Sequence, residues 1–230
     1  MKYIFTTISY GDKYHELTYA LAQDLAKIEK RLLIYTDNPS HFARLDNVVT
    51  QTYSPLPENE GRISGYDKDR LASEVFEMAD CMWYIDSDWR LKPEASEVDL
   101  LDSIEIEPGL TSAQGPLKRI HSDNYPKACI EWARERYGIS SPRHYGEACY
   151  MIKKGEGVEE YLRVLLEFGK MADAVEIAKG VPRFISKSSG VSFGYAQRAA
   201  GLKRNSNKPI RKAFYSNFVH SFVTTSGKIK

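Results

Sequence analysis

The run "CMWYI", Cys81–Ile85, is apolar at every position. A strand with one wet face alternates apolar and polar residues, so a run without alternation is covered on both sides. Such a strand belongs inside a parallel sheet with helices above and below it. Residues 2–8 ("KYIFTTI"), 31–36 ("RLLIYT") and 47–53 ("NVVTQTY") share its β-branched and aromatic character. Between the first two, Tyr14, Leu17, Leu21, Leu25 and Ile28 recur at spacings of three and four, which marks one apolar face of a helix. Leu71, Val75 and Met78 repeat that pattern ahead of "CMWYI". Strand and helix thus alternate, and the predicted fold is α/β: a mixed, mainly parallel, Rossmann-like sheet flanked by helices.

The later chain is less regular. Residues 109–114 ("GLTSAQ") and 147–154 ("EACYMIKK") read as strands, and 126–138, 156–180 and 189–201 as helices. From Gly201 to Lys230 there are seven basic residues and no acidic one. The same stretch holds Phe214, Tyr215, Phe218, Val219, Phe222 and Val223, so we expect a basic tail folded back over the body rather than a solvated arm.

Bulk composition narrows the partners. Lys and Arg number 32 against 31 Asp and Glu, a net charge of +1 that argues against nucleic acid. Cys81, Cys129 and Cys149 have no C-x-x-C spacing, which supports neither a disulfide framework nor a cysteine-rich zinc site. The N-terminal apolar run turns polar by Thr6, too short for a secretory signal, and no transmembrane segment follows. The expectation is a soluble, cytoplasmic protein.

Ligands of parallel sheets bind beyond the carboxyl ends of the strands. Three of those ends carry "ISYGD", "TDNP" and "DSDW", and they should converge on one site. In an extended segment residues two apart project to the same side. Asp86 and Asp88 would then face one hard divalent cation, Mn²⁺ or Mg²⁺, which readily shares its oxygen shell with phosphate. The plain alternative is turn chemistry, for which D-S-D is good material. The place of the pair after a buried strand favours the metal.

Taken in order, a first strand with a Tyr/Gly loop, a strand ending "IYTDNP", and "YDKDRLASEVFEMADCMWYIDSD" resemble the nucleotide-sugar-dependent glycosyltransferases of the GT-A fold. The stretch "LLIYTDNP" is most similar to the corresponding strand of the histo-blood-group galactosyl and N-acetylgalactosaminyl transferases. This resemblance covers the first 100 residues well and the remainder loosely. It implies a single GT-A-like domain over 1–230, with a nucleotide-binding half (1–100), a sugar and acceptor half (101–200) and a tail (201–230) closing over the site.

Site residues follow from the match. Ile8, Ser9 and Tyr10 correspond to the loop that receives base and ribose, with Tyr10 placed to stack on uracil. Asp37 corresponds to the aspartate ending the second strand. Lys68 and Arg70 correspond to basic residues that approach the nucleotide or donor; cations in a first helical turn oppose the helix dipole, which speaks against a purely structural role. Asp86 and Asp88 correspond to the metal-binding pair. "FVHSFVTTSGKIK" resembles the H-x-x-G-x-x-K element of related retaining enzymes, with longer spacing, and so assigns His220 as a third metal ligand and Lys228 to the diphosphate. A neutral imidazole beside two carboxylates suits Mn²⁺ better than Mg²⁺.

For the acceptor side the candidates are Trp89 and His144, with Glu147 as base or as partner of the donor sugar. Trp132 reads as core. Where the histo-blood-group family has an acidic H-D-E-S segment, this chain has "ISKSSGVSF", so retention of configuration is not implied. The expected activity is metal-dependent transfer of a hexose, UDP-linked by preference, to a glycan or glycolipid hydroxyl in a bacterial or viral setting. The alternatives are a nucleotidyltransferase, which normally has a richer glycine and lysine loop than "ISYGDKY", and a nucleotide- or sugar-binding module without turnover.

Overall fold

The computed structural model describes residues 3–54, 65–93, 95, 104–113, 116–117, 127–140, 144–146, 148–179, 189–203, 205–206 and 208–221. The first half runs β1 (Tyr3–Ser9), α1 (Asp12–Ala26), β2 (Leu32–Thr36), a 3-10 turn (Pro39–Phe42), β3 (Val48–Thr52), α2 (Gly65–Val75), β4 (Cys81–Ile85) and β5 (Trp89–Leu91). There follow β6 (Gly109–Ser112), β7 (Pro116–Leu117), α3 (Lys127–Tyr137), β8 (His144–Tyr145), β9 (Cys149–Lys153), α4 (Val158–Lys179), α5 (Ser189–Ala199), α6 (Lys208–Asn217) and β10 (Phe218–His220).

Six strands form one sheet in the order β3-β2-β1-β4-β9-β6. β1 to β4 pair in parallel, and β9 runs antiparallel between β4 and β6. The sheet is therefore mixed and mostly parallel, and compatible with a Rossmann-like fold. Both faces of β4 are buried, which is why its sequence does not alternate. Cys81, Trp83 and Ile85 pack with Leu21 and Leu25 of α1 and with Ile210 and Phe214 of α6. Met82 and Tyr84 pack on the other side with Leu71 and Val75 of α2, Leu165 of α4 and Phe193 of α5. Among the described residues no helix is long and apolar enough to cross a membrane.

One element departs from the sequence expectation. The buried face of α1 is His15, Thr18, Leu21, Ala22, Asp24 and Leu25, whereas Tyr14 is 47% exposed. Leu21 and Leu25 face the core as the spacing predicts, but ahead of them the inner positions fall one residue later, on His15 and Thr18, and Asp24 is buried beside them; His15 and Asp24 have partners of their own. In the basic tail Lys208–Asn217 is a helix packed on the sheet through Ile210, Ala213 and Phe214, as its apolar content leads one to expect.

Asp24 shows what such a buried polar residue does. Its Oδ2 accepts bonds from Arg90 Nε at 2.6 Å and from the Leu91 N–H at 3.2 Å, and its Oδ1 accepts from Lys27 Nζ at 2.8 Å. These bonds fasten α1 to β5. Burial by itself would raise this carboxyl, but the hydrogen bonds and charges of Arg90 and Lys27 outweigh it and hold the pKa below the ordinary 3.8. A lowered folded-state pKa contributes stability at neutral pH that is lost as pH falls through that value. Asp24→Asn should therefore destabilise the protein at pH 7. Because Arg90 is 34% exposed, screening trims the buried-pair figure to about 2 kcal/mol. Urea midpoints measured from pH 7 downward should show the gap between the two proteins closing below pH 3.8; a gap independent of pH would refute the charge assignment.

Candidate functional site

Three strand ends meet at the carboxyl edge of the sheet, since β2, β1 and β4 are neighbours. Beyond β4 the backbone turns at once. The Asp86 N–H donates to the Ala148 carbonyl at 2.9 Å, and the Trp89 N–H donates back to the Asp86 carbonyl at 3.2 Å. Asp86–Trp89 is thus a turn, which corrects the expectation that the two aspartates share one side of an extended segment. They have separate partners instead.

Asp86 faces α2. Its Oδ1 accepts from Lys68 Nζ at 2.6 Å and from the Tyr84 hydroxyl at 3.0 Å. Lys68 Nζ also stands 4.9 Å from the centre of the Tyr84 ring, a cation–π contact that holds the ammonium over the same carboxylate. Tyr84 is held in turn by a stack on Tyr150, with ring centres 4.9 Å apart. Burial pushes the Asp86 carboxyl above its ordinary value; the Lys68 ammonium opposes this, and the Asp88 charge adds to it. The Tyr84 hydroxyl is pushed well up, first by burial and then by the charge of Asp86.

Asp88 faces the C-terminal strand. β10 pairs antiparallel with β5, with His220 opposite Trp89, and the Ser221 N–H donates to the Asp88 carbonyl at 2.7 Å. This ribbon brings His220 Nε2 to 3.0 Å from Asp88 Oδ2. The other oxygen, Asp88 Oδ1, is buried and has no hydrogen-bond partner among the described residues. A buried carboxylate oxygen without a donor is costly unless a cation or a donor reaches it. The oxygen and nitrogen donors present suit a hard or borderline divalent cation. Among the described residues, however, no group of three or more His, Cys, Asp and Glu side chains is already assembled to hold one. Asp86 is turned to Lys68 while Asp88 is turned to His220.

The ribbon also settles the setting of Trp89. It is 8% exposed, with Phe214 at 4.5 Å and His220 at 5.3 Å between ring centres. That burial leaves little ring face on which an acceptor sugar could stack, which corrects the expectation that Trp89 serves the acceptor side. Trp132 packs against Phe168 and Tyr137 as a core side chain would.

At the neighbouring strand ends, Asp37 Oδ1 accepts from the Gly11 N–H at 3.2 Å and lies 2.8 Å from His15 Nε2. Gly11 has φ +82°, a conformation glycine adopts without strain, and it opens α1. Asp37 therefore fastens the turn after β1 to the end of β2. His15 is the residue that sequence reasoning missed: it is 22 positions from Asp37, and its only sequence signal is a place one step off the apolar stripe. Ile8 is in β1 with its side chain in the core, and Ser9 Oγ is buried with no partner among the described residues. Tyr10, the first residue past the strand, is half-buried against the same core cluster.

Glu147 and Lys228 lie outside the described residues, as do the side chains of Arg70 and His144, whose backbones belong to α2 and β8. A cleft of about 660 Å³, lined in part by Tyr3, Lys30, Arg31, Glu77 and Met78, opens at the strand starts. It is on the wrong edge for a ligand of a parallel sheet and shares no residue with the aspartate turn. No protein-family model matches the chain, and no curated protein matches it, so function has to be argued from the site's own chemistry.

Proposed function

We propose that the protein is a metal-dependent glycosyltransferase that moves a hexose from a nucleoside diphosphate, UDP by preference, to a glycan or glycolipid hydroxyl. The observation that carries the reading is the meeting of Asp88 with His220 at a strand end, one buried carboxylate oxygen still without a donor among the described residues. Asp86, Asp88 and His220 would hold Mn²⁺ or Mg²⁺. When bound, that ion supplies positive charge against the departing diphosphate. Lys68 and Arg70 are the chain's own cations for the same anion. Tyr10 and the Asp37–Gly11 turn form the neighbouring wall, where base and ribose would sit.

A second reading is a nucleotide-binding module without turnover. It draws support from the salt bridge between Lys68 and Asp86, which turns that carboxylate away from Asp88 and His220. One experiment addresses both. Calorimetric titration with UDP, GDP, CDP and TDP, in Mn²⁺ and then in EDTA, should show metal-dependent binding of UDP, about a hundredfold weaker in His220→Ala, which loses a ligand. Binding to none of the four by the folded protein would remove both readings. Binding without release of UDP, across a panel of sugar donors and acceptors, would favour the module.

A further inference from the structure

Lys68 is an unusual counter-ion for its position. It is the fourth residue of α2, where the helix's own partial charge repels a cation, so the helix does not favour an ammonium there. Its side chain is only 19% exposed, although lysine is among the residue types that most rarely leave water. Asp86 Oδ1 at 2.6 Å and the face of Tyr84 at 4.9 Å help to hold it there. Without that ammonium, Asp86 would be a half-buried carboxylate beside a second one two residues on, a costly arrangement.

We infer that Lys68 is a resident counter-ion that occupies Asp86 while no divalent cation is bound, and moves from it to the donor's diphosphate when one is. The inference rests on the metal-dependent reading above and adds a coupling device to it. An ammonium on a four-carbon stem can swing by several ångströms while the helix stays still, which a planar guanidinium held in a fork does less easily. Lys68 and a cation compete for the same oxygen, so a cation alone must displace the lysine and binds weakly. A diphosphate offers the displaced ammonium a new anion, so cation and nucleotide bind cooperatively, each raising the other's affinity by the same factor.

The test is binding, not turnover. Free Mn²⁺ is followed by its electron paramagnetic resonance signal as protein is added, with and without UDP, for wild type, Lys68→Met and Lys68→Gln. The neutral variants should bind Mn²⁺ alone about tenfold more tightly than wild type, and the tightening of Mn²⁺ by UDP should shrink by a similar factor. The glutamine variant, which can still donate to Asp86, covers the case in which the methionine variant does not fold. If wild type binds Mn²⁺ with UDP while the variants match its affinity for Mn²⁺ alone, the exchange is refuted and the metal-dependent reading survives. If wild type binds no Mn²⁺ even with UDP, both fall.

Discussion

Asp88→Asn should abolish metal-dependent UDP binding and leave the fold intact. The amide has the shape of the carboxylate and can still meet His220 Nε2, which stands 3.0 Å from Asp88 Oδ2. What it lacks is the charge with which the carboxylate would hold a cation on Oδ1, the oxygen that is buried without a partner among the described residues. Changes one layer out from a metal typically cost ten- to a hundredfold in affinity, so loss of a ligand should cost about a hundredfold or more. That is roughly 2.7 kcal/mol on a binding isotherm. Urea unfolding should place the variant within about 1 kcal/mol of wild type, because the side chain is 29% exposed and its neighbours keep their places. A variant that binds UDP as wild type does, in Mn²⁺ and in EDTA alike, would return the aspartates to turn chemistry.

The largest expected effect on stability is that of Trp83→Ala. Trp83 is fully buried on β4, the strand that joins the parallel half of the sheet to the antiparallel half. Its ring stacks on Phe5 at 5.0 Å, and its Nε1–H donates to Cys149 Sγ at 2.9 Å across the β4–β9 pair. Truncation removes the ring, leaves a cavity in the centre of the sheet and orphans the thiol, at a cost of about 3–5 kcal/mol. Against a total of roughly 5–15 kcal/mol, that would leave the chain marginal at 37 °C. Trp83→Phe should recover most of the loss, since it restores the packing and gives up only the N–H···S contact. An alanine variant less than 1 kcal/mol below wild type in chemical denaturation would mean that the core around β4 collapses to fill the space.

The parts of this fold legible in the sequence were those governed by local pattern. β1 to β4 and α2 follow from apolar runs and helical spacing that need no knowledge of neighbours. The antiparallel insertion of β9 between β4 and β6 was not legible, because "CYMIK" reads alike in either direction of pairing. The α1 face was misread in part because periodicity registers apolarity and is blind to a buried His15 or Asp24 with a distant partner. At the site, a histidine near the C-terminus was expected beside the aspartates, and the structure brings His220 to Asp88. The turn that separates the two aspartates, the Lys68 bond to one of them and the burial of Trp89 all depend on tertiary contacts. No spacing rule contains them.

The β5–β10 ribbon has a consequence in time. Its two strands are separated by more than half of the 230 residues, so closing it is among the most costly loop closures in the molecule. During synthesis the parallel sheet, the aspartate turn and Lys68 all emerge before the helix and strand that carry His220. The first aspartate and the lysine that neutralises it are thus both outside the ribosome long before the histidine that meets the second.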